Sequence, residues 1–310
     1  FVAAVLLATA GTALVPVRAE AQVSMDRPTT QASASPPRAG SLFLNPVRFE
    51  RADGSLATAE RGLLFVPQNR RRPGSGVLAV ELHRFPATAA DGPSAPPVFV
   101  LHGGPGFGGL ELEDDAYYRK EVAPLTAFAD VVVVGQRGIG TSAPDTRCEG
   151  ARGSIFDRTA PRSERGRRLR AAAERCRRFW EAAGLDLEGL TVVEAADDVA
   201  AIARALGYEE IVLKGVSFGS HWAMAVLRRH PDLVVRALLG GLEGPDQTWD
   251  MPGAVLDGLR RVSADAEAAA ELGPWIPADG ILGALERTVE RLEREPAIVS
   301  LEDSGGQAAR

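Results

Sequence analysis

A serine hydroxyl becomes a nucleophile when the chain exposes it and places a base beside it. One serine of this 310-residue chain stands in a setting that achieves the exposure. Ser217 lies at the centre of Gly215-Val216-Ser217-Phe218-Gly219. Glycine two positions away on either side removes bulk where a strand turns sharply into a helix. The hydroxyl then stands above the sheet, and the N–H of Phe218 points at the substrate oxygen. Ile211-Val212-Leu213 before the motif reads as a buried strand, and Phe218–His230 after it reads as a helix stopped by Pro231. Ser217 is the expected catalytic residue; the competing reading is a glycine-rich packing turn.

A second glycine motif, His102-Gly103-Gly104-Pro105-Gly106, follows the apolar run Pro97–Leu101. Glycines after a buried strand let backbone N–H groups approach a ligand closely. Two such donors can hold the oxyanion of an acyl-transfer intermediate. Gly104 is assigned as the donor that joins Phe218, with Gly103 the competing choice. His102 lies inside the turn and is expected to brace it by hydrogen bonding. A third segment, Gly135-Gln136-Arg137-Gly138-Ile139-Gly140-Thr141-Ser142, follows four consecutive valines. It lacks the Lys-Ser/Thr ending of a phosphate-binding loop. It reads as a loop at the site's rim, with Arg137 structural.

The base is the missing part. The chain has four histidines, and none lies between Pro231 and Arg310. His221 sits one turn down the helix that follows Ser217, His230 ends that helix, and His83 lies in an N-terminal strand. None is expected to serve. Asp246 and Asp250 follow the fourth apolar strand and are candidate acids. Glu243, in Gly241-Leu242-Glu243-Gly244-Pro245, ends the same strand and should face the cleft. It is a possible contact for a substrate amine, or simply a loop hydrogen-bonding residue.

The remaining sequence bounds the class. Net charge is −6 and hydrophobic residues make up 45%. That composition suits a globular core and argues against a nucleic-acid binder. Phe1–Val17 is apolar and Ala19-Glu20-Ala21 fits a cleavage site, so residues 1–21 read as an export signal without its basic start. A membrane span would need about 20 apolar residues, so no stable membrane association is expected once the signal is cleaved. Export would place Cys148 and Cys176 in an oxidising compartment, where paired cysteines often bridge. Two separate buried thiols are the alternative. Neither a metal nor an organic cofactor is implied. Residues 22–45 read as a flexible linker.

Beyond the linker, Gly62–Val66 and Val77–Phe85 predict a β-hairpin. Pro97–Leu101, Asp130–Val134, Glu210–Lys214 and Val234–Leu239 predict buried strands. Near-continuous apolar strands alternating with helices indicate a mostly parallel sheet covered on both faces. Thr191-Val192-Val193-Glu194 predicts a capping box, with Val199, Ile202 and Leu206 on one helical face. The arginine-rich Arg162–Trp180 predicts a solvated amphipathic helix. Val255–Ala270 and Ile281–Glu295 predict helices, with no strand pattern after Ala254. The expected layout is a core over 46–250 and a helical segment over 251–310.

The three motifs, in this order, resemble the α/β-hydrolase fold. More narrowly, they resemble the prolyl-iminopeptidase-like serine peptidases and their secreted tripeptidyl-aminopeptidase relatives. The resemblance covers about residues 57–250. It implies an exported (secreted or periplasmic) serine aminopeptidase acting on a peptide or small acyl substrate, through an acyl-enzyme on Ser217. It also implies that His102, Gly103, Gly106, Gln136, Arg137, Gly215 and Gly219 support the site. The relatives tend to carry cysteines near Cys148 and Cys176. Gly135 departs from the family, which has Asp there. The family's acid and histidine follow a helical cap. Residues 251–310 read as the start of that cap, so the triad partners are expected beyond Arg310 and this fragment is expected to be inactive. A carboxylesterase or lipase on the same scaffold, or a binding protein without the base, are the rivals. Epoxide hydrolases and haloalkane dehalogenases use Asp at the elbow, which disfavours them here.

Overall fold

The computed structural model describes residues 37–51, 53–106, 117–147, 162–246, 252–295, 297, 301–302 and 308–309. All of them belong to one compact unit, Pro37–Arg310. The expected export signal lies outside the described residues.

A seven-stranded sheet organises the chain: β1 (Leu42–Glu50), β2 (Leu56–Pro67), β3 (Val77–Phe85), β4 (Val98–Leu101), β5 (Val131–Val134), β6 (Ile211–Val216) and β7 (Val234–Gly240), in the spatial order β1-β2-β3-β5-β4-β6-β7. The first three strands are antiparallel, and β3 runs antiparallel to β5. Strands β5, β4, β6 and β7 run parallel. The chain passes from β4 to β5 on one side and later to β6 on the other. The sheet therefore reverses its winding at β4, and ligands bind parallel sheets outside the carboxyl ends of the strands at such a point.

Alternation explains how the short strands are covered on both faces. Successive side chains point to opposite sides of a strand. Val132 and Val134 join Phe99, Leu101, Leu213 and Trp222 in one core. Val131 and Val133 join Val98, Val100 and Val212 in the other. Strand β7 departs from the expectation of burial, since Val235 and Leu238 are 49% and 54% exposed. Among the described residues β7 is an outer strand with nothing paired to its far edge.

Two N-terminal expectations change. The hairpin is a three-stranded antiparallel unit, and Leu42–Asn45 belong to β1 rather than to the linker. Pro46 hides this strand from a pattern reading. Proline donates no ladder bond and is tolerated at sheet edges, and β1 is an edge. At the other end, Leu301–Glu302 pair with Ala308–Ala309. Two-residue strands are too short to show a periodicity.

The helices are α1 (Ala123–Thr126), α2 (Arg162–Ala182), α3 (Val192–Ala205), α4 (Phe218–Arg229), α5 (Pro252–Ala268) and α6 (Gly280–Arg294). Helix α2 is mostly exposed and carries Arg–Glu pairs three and four residues apart, such as Arg177 with Glu174 and Glu181. Only half of the predicted capping box forms at α3. The Thr191 hydroxyl accepts the Glu194 N–H at 3.2 Å. The Glu194 carboxylate turns instead to the N–H and guanidinium of Arg70, at 2.8 and 2.6 Å. Helices α5 and α6 form a hairpin in which Glu267 Oε1 accepts the Ile281 N–H at 3.1 Å and the Ser263 hydroxyl at 2.8 Å.

Candidate active site

Four parallel strands end at one edge of the sheet, and each delivers a loop. β4 leads to His102–Gly106, β5 to Gly135–Arg137, β6 to Ser217 and β7 to Gly241–Glu243.

Ser217 has φ 56° and ψ −129°, and among the described residues it is the only non-glycine with positive φ. Such a conformation costs roughly 1–3 kcal/mol and persists when its surroundings hold it. Three hydrogen bonds do so. Ser217 N–H donates to Gly240 O at 3.0 Å, and the N–H and hydroxyl of Ser220 both donate to Ser217 O at 2.7 Å. The flanking glycines are required by space. A β-carbon at Gly215 would lie 2.3 Å from Gly219 O, and one at Gly219 would lie 2.0 Å from Leu101 O. The elbow is thus wedged between its own first helical turn and the end of β4.

Gly103 lies against the serine: a β-carbon there would be 3.3 Å from Ser217 Cβ and 3.7 Å from Oγ. Gly104 has φ +122°, a conformation open to glycine. Its N–H has no acceptor among the described residues. The Phe218 N–H opens α4, where the first turn leaves backbone donors unpaired. Both are thus available to a ligand atom. Gln136 fastens the glycine loop at two points. Its Oε1 accepts the Gly106 N–H at 2.9 Å, and its Nε2 donates to Gly103 O at 3.2 Å.

Behind that loop, the Tyr117 hydroxyl lies 3.0 Å from His102 Nε2. Burial, with Lys214 adding to it against Glu121, holds the His102 imidazole below its usual range. Burial, and then the nearby Glu121 charge, pushes the Tyr117 phenol up. Both shifts favour a neutral imidazole facing an intact phenol, so the pair braces the loop without carrying charge. Lys214 on β6 pairs with Glu121. Tyr117, Glu121 and Lys214 carry no motif that would have announced them.

Arg137 is buried and bonds outside the cleft. Its guanidinium makes two 2.7 Å bonds to the Asp198 carboxylate and donates at 2.8 Å to the carbonyls of Gln68 and Gly189. It ties the β5 loop to α3 and to the end of β2. Asp198 also accepts from Arg70 at 2.8 Å.

The described histidines do not reach Ser217. His230 ends α4, twelve residues long, which at 1.5 Å per residue is about 18 Å from the elbow. It bonds Asp197 at 2.8 Å. His221 Nδ1 lies 3.0 Å from Gly244 O. His83 is buried in β3, 3.5 Å from Glu81. Asp246 lines a cavity of about 560 Å³ beside His221 and Arg228, and Asp250 lies outside the described residues. The side chain that does meet the nucleophile is Glu243: Ser217 Oγ donates to its Oε1 at 3.0 Å. A second cavity, of about 280 Å³, adjoins the elbow and is lined by Pro105, Gln136, Ile139, Leu190, Phe218 and Trp222 among others. Cys148 lies outside the described residues.

A strained serine at a strand–helix turn, beside a glycine loop at the carboxyl edge of a parallel sheet, defines a class. Residues 96–277 match the alpha/beta hydrolase fold family, and the chain belongs to it. The sequence is similar to the "Serine protease Hip1" of Mycobacterium tuberculosis, 28% identical over 191 residues, which are 60% of this chain and 36% of that protein. It is also similar to the "Tripeptidyl aminopeptidase" of Streptomyces lividans, 27% identical over 202 residues, 61% of this chain and 36% of that one. The chain thus spans about a third of the length of these relatives. Among solved structures, a proline iminopeptidase-related protein from Thermus thermophilus aligns with 25% identity and a TM-score of 0.31, over 57% of this chain and 43% of the other. An epoxide hydrolase from Vigna radiata aligns with 12% identity and a TM-score of 0.35, over 61% and 43%.

Proposed function

We propose that this protein is an exported serine aminopeptidase, releasing N-terminal residues or short peptides by way of an acyl-enzyme on Ser217. The observation that carries the reading is the strained Ser217, φ 56°, packed against Gly103, in a glycine loop whose Gly104 N–H has no acceptor among the described residues. Ser217 Oγ attacks the carbonyl carbon and gives its proton to a base. The N–H groups of Phe218 and Gly104 hold the oxyanion, and losing one such donor typically costs about 3–4 kcal/mol. The C–N bond then breaks, the leaving amine takes the proton from the base, and water hydrolyses the ester. The base is a histidine, paired with an acid, outside the described residues. The two curated relatives support peptide substrates. The apolar N-terminal run with Ala19-Glu20-Ala21 supports export. Among the described residues no helix is long and apolar enough to cross a membrane.

The test compares aminoacyl and peptidyl amides with short-chain esters, using the full-length protein and Ser217→Ala. The expected result is amide hydrolysis that needs a free N-terminal amine and vanishes in Ser217→Ala. Hydrolysis of esters alone would assign an esterase instead. Amide hydrolysis that survives Ser217→Ala would remove the nucleophile and with it the mechanism.

A further inference from the structure

The two oxyanion donors come from different strands. Gly104 follows β4 and Phe218 follows β6. The ladder between these strands ends where Leu101 faces Gly215, three residues before either donor. The spacing of the donors is therefore set by contacts beyond the ladder. One short segment touches both arms. It is a wide helical turn, Tyr118–Val122, in which the Ala123 N–H reaches back five residues to Tyr118 O. Such wide turns are rare and concentrate at functional sites. Val122 anchors this one, fully buried in the core with Val98 and Val100 of β4 and Val212 of β6.

Tyr117 and Glu121 stand four residues apart at this turn, so their side chains leave it on one side. The Tyr117 hydroxyl lies 3.0 Å from His102 Nε2, and His102 joins β4 to Gly103. The two rings also pack, with centroids 5.2 Å apart. Glu121 pairs with Lys214 on β6, three residues before Ser217. The charges of Glu121 and Lys214 both reach His102, so the four side chains form one cluster. We propose that this turn is a clamp that sets the distance between the Gly104 and Phe218 N–H groups. Tyr117 and Glu121 are positioning residues, acting through His102 on one arm and Lys214 on the other. The inference rests on the acyl-enzyme reading of Ser217 and holds for an amide or an ester substrate. Oxyanion charge develops only after the substrate has bound, so the clamp bears on kcat and not on KM.

The experiment measures kcat and KM of the full-length enzyme on an ester and on the matching thionoester, for the wild type, Tyr117→Phe, Glu121→Gln and the double variant. Sulfur is a weak hydrogen-bond acceptor, so the thionoester gains little from the two N–H groups. Each single variant should lower kcat on the ester about 10-fold with KM unchanged, a part of the roughly 100- to 1,000-fold carried by one donor. The ester-to-thionoester ratio should fall by the same factor. A clamp opened at one arm has nothing left to hold at the other. The double variant should therefore lose less than about 3-fold more, where two independent sites would multiply to about 100-fold. Equal losses on both substrates would place the damage at the nucleophile and overturn the clamp. A rise in KM alone, or full multiplication in the double variant, would overturn it too. Lys214→Met covers a variant that fails to fold: it opens the second arm from β6, and an unchanged ratio there overturns the proposal. In each of these cases hydrolysis that still needs Ser217 leaves the acyl-enzyme reading standing. Hydrolysis that survives Ser217→Ala defeats that reading and the clamp with it.

Discussion

Gly219→Ala should disable the elbow through a single methyl group. The new β-carbon would lie 2.0 Å from Leu101 O and 2.8 Å from Leu101 C, and both are backbone atoms that no rotamer change can move aside. Ordinary contact begins at 3.4 Å; less 2.0 Å, that leaves 1.4 Å by which the first turn of α4 and the end of β4 must separate. Overpacking of this kind destabilises by roughly 1–3 kcal/mol. The displacement falls on both walls of the site at once, because β4 continues into the glycine loop and α4 begins at the residue after Ser217. A misplacement of about 1 Å at reacting groups can lower the rate about 100-fold. Urea unfolding followed by tryptophan fluorescence reads the first effect, and the rate of Ser217 labelling by a fluorophosphonate reads the second. Gly166→Ala is the control: it lies within α2 with nothing inside 4 Å of the added carbon. It should stabilise the protein by up to about 1 kcal/mol through helix propensity. A Gly219→Ala protein as stable as the wild type and labelled at the same rate would refute the reasoning.

Arg137→Met should destabilise the fold by about 3–5 kcal/mol, because it leaves the buried Asp198 carboxylate short of its main partner; urea midpoints measure this, and a loss below about 1 kcal/mol would contradict it. Acid should loosen the fold through Asp130 and Asp197. Burial opposes their charge, but Tyr208 and Arg84 at Asp130, and Arg229 and His230 at Asp197, hold both carboxyls below the usual 3.8. A carboxylate lowered on folding stabilises fully above its unfolded value and loses that contribution as pH falls through the folded one. Urea midpoints should therefore drop as pH falls below 3.8. In Asp197→Asn the drop should be shallower, and an identical slope would refute the assignment.

Local sterics made much of this molecule legible from its residues. The glycine spacing around Ser217 announces the elbow because the clashes it avoids lie within a few residues, or against the neighbouring strand that such an elbow always meets. The four valines of β5 announce a strand buried on both faces because alternation sends each to a known side. The helix after Ser217 and the two helices α5 and α6 follow from periodicity and Pro231, while the packing of α5 on α6 does not. Pairings between segments distant in sequence were not legible. Nothing local tells Arg137 that its partner is Asp198, tells Glu194 to leave its capping role for Arg70, or tells His102 to meet Tyr117. Strand β1 is not legible because Pro46 interrupts the strand pattern and is tolerated at a sheet edge, and edge position is a property of the assembled sheet. Glu243 is the sharpest case. Sequence placed it at the end of β7, facing the cleft, but its 3.0 Å contact with Ser217 exists because β6 and β7 pair in parallel and end level. Residue type and spacing decided which group could react. The packing of strands decided what stands beside it, because side-chain contacts across the sheet depend on register and winding, which no short stretch of chain encodes.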